Sequence, residues 1–450
     1  MKNELYIGYS RLDVTPPLGV HLAGYYEVRI ADGIYDPLEV VALAAKCGDK
    51  TVLIITVDHT GLRDGFPEKI ISAISETTGI AKEAIFLHST HSHTAPRTNP
   101  NHENPLNNEY AAYLLHRTVD ACVFAIRDLA PARMSIAQGE AKNIAFVRRF
   151  RMKDGSVRTN PGIASPDIDH PIGSPDESVN VVRFDREGKE TVLLVNFANH
   201  PDVIYGTKVS ADWPGHTRRY VEKSIDNVKC IVLNGAQGDI NHVNVFPSPA
   251  EDKNFSPRDY SDIAPHYLQS HHVGRVITGA VLSVFDLNEA VEVDSISYLQ
   301  ETVNIPSNRP KPEEMPLARK YYELHKAGRD DEIPIPKEGM KRTTAVAAAC
   351  RMVELENGPD FFQMNFSALR IGPVAFFGIP GEPFSGIGKG VKAAGGYKMI
   401  LPCCLVNECY GYFPMRDSYE EGGYEAGSSR FACGVAEKII EVGVDMLGKL

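Results

Sequence analysis

Apolar runs interrupted by turn residues recur along the chain and predict a series of paired β-strands. Three such pairs turn at Gly48-Asp49, at Glu187-Gly188 and at Gly372-Pro373, with an apolar run on either side of each turn. Two further runs, "AIFLHST" and "CIVLNG", predict single buried strands. The opening residues "YIGYSRLDVTPPLG" indicate a first strand that enters a Pro-Pro-Leu-Gly turn. The pattern therefore predicts a β-sheet core.

Between these strands, apolar residues at helical spacing predict α-helices. One helix covers Asn108 to Leu129, a second begins at Pro67 and stops at Gly79, and a third runs from Phe431 to Met446. Helices and strands are mixed through the whole length, which indicates a mixed α/β fold in which helices flank a β-sheet core. No repeat and no domain boundary interrupts the pattern, so residues 1–450 are expected to form a single domain.

Three long polar tracts interrupt the pattern: Lys153 to Asp176, Phe246 to Gln269 and Asn308 to Arg342. Loops of this length in a compact domain are usually functional or mobile. The third tract contains a charged helical stretch, "PEEMPLARKYYELHKAG". We therefore expect residues 308–342 to be a polar insertion that forms either a surface excursion or a lid.

Charge and composition narrow the class of protein. The net charge of −11 argues against a general binder of nucleic acid or of anionic membranes, because such partners require a basic surface. No uninterrupted apolar run of about 18 residues is present, so no transmembrane helix is expected. The N-terminus lacks the apolar region and cleavage site of a signal peptide, and the eight cysteines form no CxxC pair. We therefore expect a cytoplasmic protein with reduced cysteines.

Polar clusters follow several of the predicted strands. They are His91-Ser92-His93, Asn199-His200-Pro201, Gly381-Glu382-Pro383 and Tyr410-Gly411-Tyr412. Sites on sheet scaffolds are built in the loops at strand ends, so these clusters are expected to converge. Two neutral imidazoles and a carboxylate form a standard zinc donor set that leaves a position for water or substrate. In an extended segment, the side chains at 91 and 93 point the same way, so both can face one cavity.

Each of these residues also has an ordinary structural explanation. The HxH pair is a short motif, and its histidines can cap a loop, while His88 is expected to be structural. "NHP" is typical of a turn, Glu382 can be a solvated carboxylate, and Arg148 and Arg149 can be exposed strand charges. Tyr412 and Tyr424 can be half-buried aromatic residues. Only their joint occurrence favours a site, and the absence of a GxSxG elbow argues against a serine hydrolase.

Six short motifs occur in a fixed order between Gly8 and about Glu425. They are "GYSRLDVTPPLGVHLAGY", "THSHTAP", "ANHP", "SADWPG", "NGAQGDIN" and "PGEP". Together they resemble the neutral/alkaline, non-lysosomal ceramidases. The resemblance implies a ceramidase-like catalytic domain, equivalent to the N-terminal domain of that family and without its C-terminal β-sandwich domain.

The resemblance also implies one zinc ion per chain and assigns roles to particular residues. The implied zinc ligands are His91, His200, Glu382 and Tyr412. The implied catalytic residues are His93, which acts on the substrate, Arg148 (or Arg149 if the register slips by one), which helps to hold the substrate carbonyl, and Tyr424, which lies near the scissile amide. Asn241 stands where the family has a serine near the substrate, and it is therefore the candidate substrate-binding residue.

These assignments lead to three functional hypotheses. The first is a zinc-dependent amidohydrolase of linear amides, which cleaves an N-acyl small molecule or lipid by metal-activated water, with a role in lipid metabolism. Because a serine position and the sandwich domain differ from the family, the substrate need not be ceramide. The second is an esterase or other acyl hydrolase of a small soluble metabolite. The third is a non-catalytic metal-binding relative, since a fold does not imply a function.

Overall fold

The fold consists of two β-sheets packed face to face, with α-helices on the outer face of each sheet. The computed structural model describes residues 4–255, 265–337 and 340–450. One apolar core lies between the two sheets and includes Ile54, Leu194 and Phe376. Two further cores lie between the larger sheet and its helices, and a fourth lies between the smaller sheet and its helices. The expected mixed α/β class, with a sheet core flanked by helices, is confirmed.

The larger sheet contains nine strands within the described ranges. Their spatial order is β16 (Val228–Asn234), β14 (Thr191–Phe197), β13 (Ser178–Arg186), β8 (Ala130–Glu140), β1 (Leu5–Asp13), β5 (Glu39–Cys47), β6 (Lys50–Val57) and β7 (Ile85–Ser89), with β18 (Glu289–Val291) also paired to β8. Most neighbours are antiparallel, but β14 with β16 and β6 with β7 are parallel. Each parallel pair brings two carboxyl ends to the same edge of the sheet.

The smaller sheet contains β19 (Ile296–Pro306), β20 (Phe361–Ile371), β21 (Val374–Gly378) and β23 (Met399–Cys403), in that order, with β21 and β23 parallel. Short strands pair outside the two sheets. They are β2 (His21–Leu22) with β3 (Arg29–Ile30), β4 (Gly33–Ile34) with β15 (Lys208–Val209), β9 (Phe146–Val147) with β17 (Ile240–Asn241), β22 (Glu382–Pro383) with β24 (Tyr412–Phe413), and β10 (Arg149–Met152) with both β11 (Val157–Thr159) and β12 (Ile168–Pro171).

Helices cover the outer faces of both sheets. Those on the larger sheet are α1 (Phe66–Thr78), α2 (Pro105–Arg127), α3 (Asp212–Ser224) and α5 (Pro265–Val284), and those on the smaller sheet are α8 (Ser385–Lys392) and α11 (Val435–Lys449). The others are α4 (Pro249–Phe255), α6 (Met315–Lys326), α7 (Lys341–Leu355), α9 (Arg416–Glu421) and α10 (Tyr424–Ser428). Across the described ranges, none of the helices combines the length and apolar character that crossing a bilayer requires.

Successive residues of the central strands are buried on opposite faces of the sheet. In β5, Val41 and Leu43 face the smaller sheet, whereas Val40, Ala42 and Ala44 pack against α1 and α2. A strand that is covered on both faces has no polar side. This is why these strands occur in the sequence as uninterrupted apolar runs.

Most of the predicted elements are confirmed. The three predicted pairs are β5–β6, β13–β14 and β20–β21, and the two single strands are β7 and β16. The helices predicted at 67–79 and 108–129 are α1 and α2. The helix predicted from Phe431 begins instead at Val435, because Phe431 forms a β-bridge with Ser307 and left-handed Gly434 (φ 100°) precedes the helix.

Each polar tract contains regular secondary structure in its described part. Residues 153–176 supply β11 and β12 to a small sheet. Residues 308–342 contain α6, whose His325 ring meets the Tyr26 ring edge-on with the centroids 5.9 Å apart. Residues 256–264 of the second tract and 338–339 of the third lie outside the described residues.

The ends of several strands from both sheets meet at one place. Asn234, the last residue of β16, donates its backbone N–H to Nε2 of His88 (3.1 Å) and its side-chain amide to the Thr90 carbonyl (3.2 Å). The Asn234 carbonyl accepts a hydrogen bond from the backbone N–H of Cys404, which follows β23 (3.1 Å). The segments that follow β7, β16 and β23 therefore lie side by side, and His88 is part of this structural network.

Candidate metal centre

Three buried histidines converge in loops that follow the strand ends. His91 and His93 lie beyond β7, and His200 lies beyond β14. Nε2 of His91 is 3.0 Å from Nε2 of His200 and 3.2 Å from Nε2 of His93. One ligand atom from each ring can therefore reach the same metal ion. Side chains from the loops that follow two separate strands thus meet at one point, as their positions in the sequence predicted.

Glu382 adds a carboxylate to this cluster. Its Oε2 atom is 3.1 Å from Nε2 of His91 and 3.7 Å from Nε2 of His200. The residue is 6% exposed, and Oε2 has no hydrogen-bond donor in the described part of the chain. The parallel pairing of β22 with β24 places Tyr412 beside Glu382. A buried carboxylate oxygen without a donor is costly unless a cation neutralises it.

The tautomers of two of the histidines follow from the contacts of Nδ1. His91 Nδ1 meets the carbonyl oxygen of Thr60. His200 Nδ1 lies 3.4 Å from the carbonyl oxygen of Gln237. A carbonyl only accepts hydrogen bonds, so each Nδ1 carries the proton and each Nε2 presents a lone pair towards Glu382. Because these acceptors repel one another unless a cation lies among them, the residues fit a divalent metal held by two imidazoles and a carboxylate.

Burial and neighbouring charge together give these groups the protonation states of metal ligands. Burial lowers the pKa of His200 to about 3, so this imidazole is neutral at neutral pH. Burial acts to raise the pKa of the Glu382 carboxyl, but positive charge beside it, from the His91 and His200 rings when they are protonated and from Arg148, holds the pKa well below its usual range. Neutral imidazoles and an ionised carboxylate are the forms that bind metals.

His93 has different surroundings from the other two histidines. Its Nδ1 atom is buried, yet no described residue forms a hydrogen bond with it. The His93 ring meets Tyr25 edge-on at 5.4 Å, and a Cβ atom added to Gly24 would lie 2.7 Å from Nδ1. Burial holds the pKa of His93 well below its usual value. A ligating histidine normally donates its second N–H to an acceptor, so His93 lacks the support that His91 and His200 have.

The backbone that carries His91 and His93 is not extended, and the expectation of strand-like alternation was wrong. β7 ends at Ser89, and His91 has a left-handed conformation with a φ of 80°. Its N–H donates to the carbonyl of His59 (2.8 Å). This turn brings the His91 and His93 rings edge to face at 4.7 Å. Such a conformation at a non-glycine residue costs on the order of 1–2 kcal/mol and is often found at functional sites.

A second group of predicted residues lies beside the cluster. The Arg148 guanidinium lies 5.2 Å from the centroid of the Tyr412 ring, and the Tyr412 and Tyr424 rings meet edge to face at 5.7 Å. Both Arg148 and Arg149 are buried, so the alternative of exposed strand charges is wrong. Arg149 forms an ion pair with Glu421 (2.9 Å). Arg148, rather than Arg149, therefore faces Tyr412.

Both tyrosines keep their hydroxyl protons at neutral pH. Burial raises the pKa of Tyr412 well above its usual value, and the nearby charge of Glu382 raises it further. Burial likewise raises the pKa of Tyr424, whose hydroxyl interacts with that of Tyr26. The Tyr424 phenol and the Arg148 guanidinium are therefore hydrogen-bond donors at the edge of the cluster.

Asn241 is fully buried, and its side chain is engaged locally. Its amide nitrogen donates to Oδ1 of Asn160 (3.1 Å), and its Oδ1 accepts from the backbone N–H of Val243 (3.0 Å). The side chain thus stabilises the loop around β17. A role of Asn241 in substrate binding stays a prediction.

Two acidic residues beside the site were missed by sequence reasoning. Asp202 follows the second histidine loop, and its Oδ1 lies 3.1 Å from Nδ1 of His242. Glu425 is fully buried, and its Oε1 lies 2.7 Å from Nε of Arg148. The available signal was that each acid lies within two residues of a predicted site residue. That signal is weak, because acidic residues are most often exposed and unrelated to a site.

Comparison with known proteins finds similarity at the level of structure. The chain is similar to the crystal structure of a neutral ceramidase from Pseudomonas aeruginosa, with a TM-score of 0.74, 16% sequence identity, and coverage of 99% of this chain and 74% of that chain. It is also similar to a structure of a ceramidase complexed with C2, with a TM-score of 0.71, 14% identity, and coverage of 99% and 75%. No protein-family model and no curated protein matches the sequence. The protein therefore has a ceramidase-like fold, as the motifs predicted.

Proposed function

We propose that the protein is a zinc-dependent hydrolase that cleaves N-acyl amide bonds. The observation that carries this proposal is the convergence of four buried atoms able to bind a metal, which are Nε2 of His91, His93 and His200 and Oε2 of Glu382. The hydrogen-bond donors Arg148 and Tyr424 lie beside this point. Two structures of similar fold are ceramidases, and this likeness supports an amide as the bond that is cleaved.

The proposed ligands are His91, His200, Glu382 and Tyr412. Imidazole and carboxylate donors suit zinc, and an Nδ1–H donated to a carbonyl orients each of the two histidines. Tyr412 is aligned with Glu382 by the pairing of β22 with β24. When bound, zinc lowers the pKa of a coordinated water and polarises a substrate carbonyl.

Arg148 and Tyr424 bind the carbonyl of the scissile amide. Its oxygen gains negative charge as the carbonyl carbon is attacked. The protonated Tyr424 hydroxyl donates a hydrogen bond to that oxygen, and the Arg148 guanidinium stabilises its charge. Removal of one such donor typically lowers kcat by about 10²–10³-fold.

His93 moves protons during the reaction. Its imidazole is neutral because burial lowers its pKa, and among the described residues no acceptor on Nδ1 commits it to the role of a metal ligand. Nε2 of His93 can therefore take up a proton from the attacking water and deliver it to the amine nitrogen that leaves.

The amine part of the substrate is expected to differ from a sphingoid base. Asn241 stands where the ceramidases have a serine, and its amide group is already bonded to Asn160 and Val243. The next residue, His242, is paired with Asp202. We therefore propose an N-acyl substrate whose amine part is recognised by groups other than Asn241.

Metal analysis tests the proposal most directly. Purified protein should contain about one zinc ion per chain when measured by mass spectrometry. The variants His200→Gln and Glu382→Gln should lose this zinc. His88→Gln, which alters a buried histidine outside the cluster, should retain it. A protein that contains no metal and takes up no added zinc would contradict the proposal.

A panel of N-acyl amines and matching esters, with short and long acyl chains, tests the bond that is cleaved. Zinc-dependent hydrolysis of the amides is the expected result. Turnover of short-chain esters alone would indicate an esterase of a small metabolite. Zinc binding without turnover of any compound would indicate a non-catalytic metal-binding protein.

A further inference from the structure

The Glu425 carboxylate is fully buried, and both of its oxygens are engaged. Oε1 lies 2.7 Å from Nε of Arg148, in an ion pair whose two side chains are 4% and 0% exposed. Oε2 accepts a hydrogen bond from Oγ1 of Thr159 (2.9 Å). A buried charge requires a partner of opposite charge and hydrogen bonds to its remaining atoms. Glu425 and Arg148 supply the opposite charge for one another, and Nε and Oε1 meet as an ion pair without a hydrogen bond in the described part of the chain.

The ion pair fixes the orientation of the Arg148 guanidinium. Nη2 of Arg148 donates to the carbonyl of Gly238 (2.6 Å), and Nε faces Glu425. These two contacts hold the planar group from two directions and leave it over the Tyr412 ring, 5.2 Å from the centroid. Without the carboxylate, the group would keep its contacts with the Gly238 carbonyl and with Tyr412 but would lose the only ion pair that it forms in the described part of the chain.

The same carboxylate is linked to the second proposed donor. Thr159 Oγ1 donates to Glu425 and accepts a hydrogen bond from the backbone N–H of Tyr424 (3.3 Å). Tyr424 is the first residue of α10, and Glu425 is the second. Glu425 is thus in contact with Arg148 on one side and with Thr159 of β11 on the other. Thr159 in turn contacts the first residue of α10, which is Tyr424.

We propose that Glu425 is a positioning residue that holds Arg148 and Tyr424 in place for the substrate carbonyl. Its effect on catalysis is indirect, through Arg148, and the inference rests on the proposed amide hydrolysis for its kinetic test. A neighbouring ion pair provides a comparison, because Glu421 pairs with Arg149 and Arg151 and contacts neither donor.

Glu425→Gln and Glu425→Asp test this role, with Glu421→Gln as the matched control. Glu425→Asp keeps the negative charge that neutralises the buried Arg148 but withdraws the carboxylate by one methylene. For each variant we would measure kcat and KM on an N-acyl amine, zinc content, Tm, and the visible spectrum of the Co²⁺-substituted protein. The spectrum does not depend on turnover.

Glu425→Gln should lower kcat by about 10–100-fold while zinc content is unchanged and KM stays within about threefold of the wild-type value. Glu425→Asp should recover part of the loss, and Glu421→Gln should have wild-type kcat. An unchanged kcat in Glu425→Gln, or equal losses in Glu425→Gln and Glu421→Gln, would overturn the proposal.

The Co²⁺ spectrum separates failure of this inference from failure of the proposed function. If the wild-type protein cleaves no amide, only the proposed function fails, and the spectrum decides the role of Glu425. A spectral change in Glu425→Gln that is absent from Glu421→Gln supports the positioning role, because Arg148 lies against Tyr412 beside the proposed metal. In that case, identical spectra in the wild-type protein and all variants would overturn the positioning role of Glu425.

Discussion

At the scale of single residues, His91 and His93 lie two positions apart but differ in the support of their rings. Nδ1 of His91 meets the Thr60 carbonyl, whereas Nδ1 of His93 meets no acceptor in the described part of the chain. We predict that His91→Gln loses zinc, whereas His93→Gln retains zinc and loses about 10²–10⁴-fold in kcat. Zinc analysis and kinetics on the purified variants check this. Loss of zinc from both variants would instead indicate that His93 is also a zinc ligand.

Gly24 is the residue that limits the space available to His93. Its φ is 99°, and an added Cβ would lie 2.7–2.9 Å from atoms of the His93 side chain. Gly24→Ala should therefore displace the ring, and a shift of about 1 Å at a reacting group can lower kcat by roughly 10²-fold. Gly65→Ala is the control, because Gly65 also has a positive φ (76°) but faces open space. Comparable effects on kcat in the two variants would contradict the steric explanation.

Residue types at strand ends made His91, His200 and Glu382 predictable, because a metal requires such donors wherever they are brought together. The pairing of Arg148 with Glu425 was not predictable in the same way. An arginine beside a strand is usually exposed, and only the tertiary structure supplies the buried carboxylate that allows it to be desolvated.

At the scale of elements, two glycines of α5 should respond in opposite ways to the same substitution. Gly279 is exposed, and a Cβ there meets no atom of the described residues within 4 Å, so Gly279→Ala should raise the free energy of unfolding by about 0.5–1 kcal/mol. A Cβ on Gly274 would lie 2.8 Å from the Cβ of His216 on α3. Gly274→Ala should therefore lower the free energy of unfolding by about 1–3 kcal/mol.

Urea unfolding of the two α5 variants beside the wild-type protein checks this prediction. Because both substitutions lie in the same helix, the change in helix propensity is the same for each. A stabilising effect of Gly274→Ala would show that α3 and α5 do not pack as closely as the structure indicates.

Elements whose signals are local were predictable from sequence. The turns at 48–49, 187–188 and 372–373 join strands that are adjacent both along the chain and in space. The conformation at His91 was not predictable, because left-handed backbone at a non-glycine residue is imposed by surrounding contacts, such as the hydrogen bond from its N–H to the His59 carbonyl.

At the scale of the whole molecule, buried neutral histidines make stability sensitive to acid. Burial lowers the pKa of His59 and of His88 to about 3, against about 6.5 in an unfolded chain. Between these values the unfolded state binds protons that the folded state does not. The free energy of unfolding should therefore fall as the pH falls from about 6.5 to about 3, by about 1.4 kcal/mol per pH unit for each group.

Asp212 acts in the opposite direction. Burial raises the pKa of Asp212 to about 6, so the folded state holds this proton more tightly than the unfolded state does. The stabilisation that results is lost as the pH rises through about 6. The two histidines outweigh this single acid. Urea unfolding of metal-free protein over a pH series checks the net slope. In the His88→Gln variant, the slope of the free energy of unfolding against pH should be smaller by the equivalent of about one proton. A slope identical to that of the wild-type protein would contradict the low pKa of His88.

The pattern of hydrophobic and polar residues alone could not predict the layered arrangement beyond the class of mixed α/β. Sequence patterns indicated which segments are strands, but the order of strands in the larger sheet depends on pairings between distant segments, such as β8 with β1 and β14 with β16. An apolar run that is covered on both faces carries no information about which layer covers which face. The meeting of strand ends at Asn234 is a product of those pairings.

That meeting of strand ends has a consequence for how the protein matures in the cell. During synthesis, the loop with His91 leaves the ribosome first, the loop with His200 follows, and Glu382 emerges only with the second, smaller sheet. Contacts between such distant segments form late, because each requires a long loop to close. The nascent chain therefore exposes histidines before it can enclose an ion, and capture of the proposed metal should mark the completion of folding rather than its beginning.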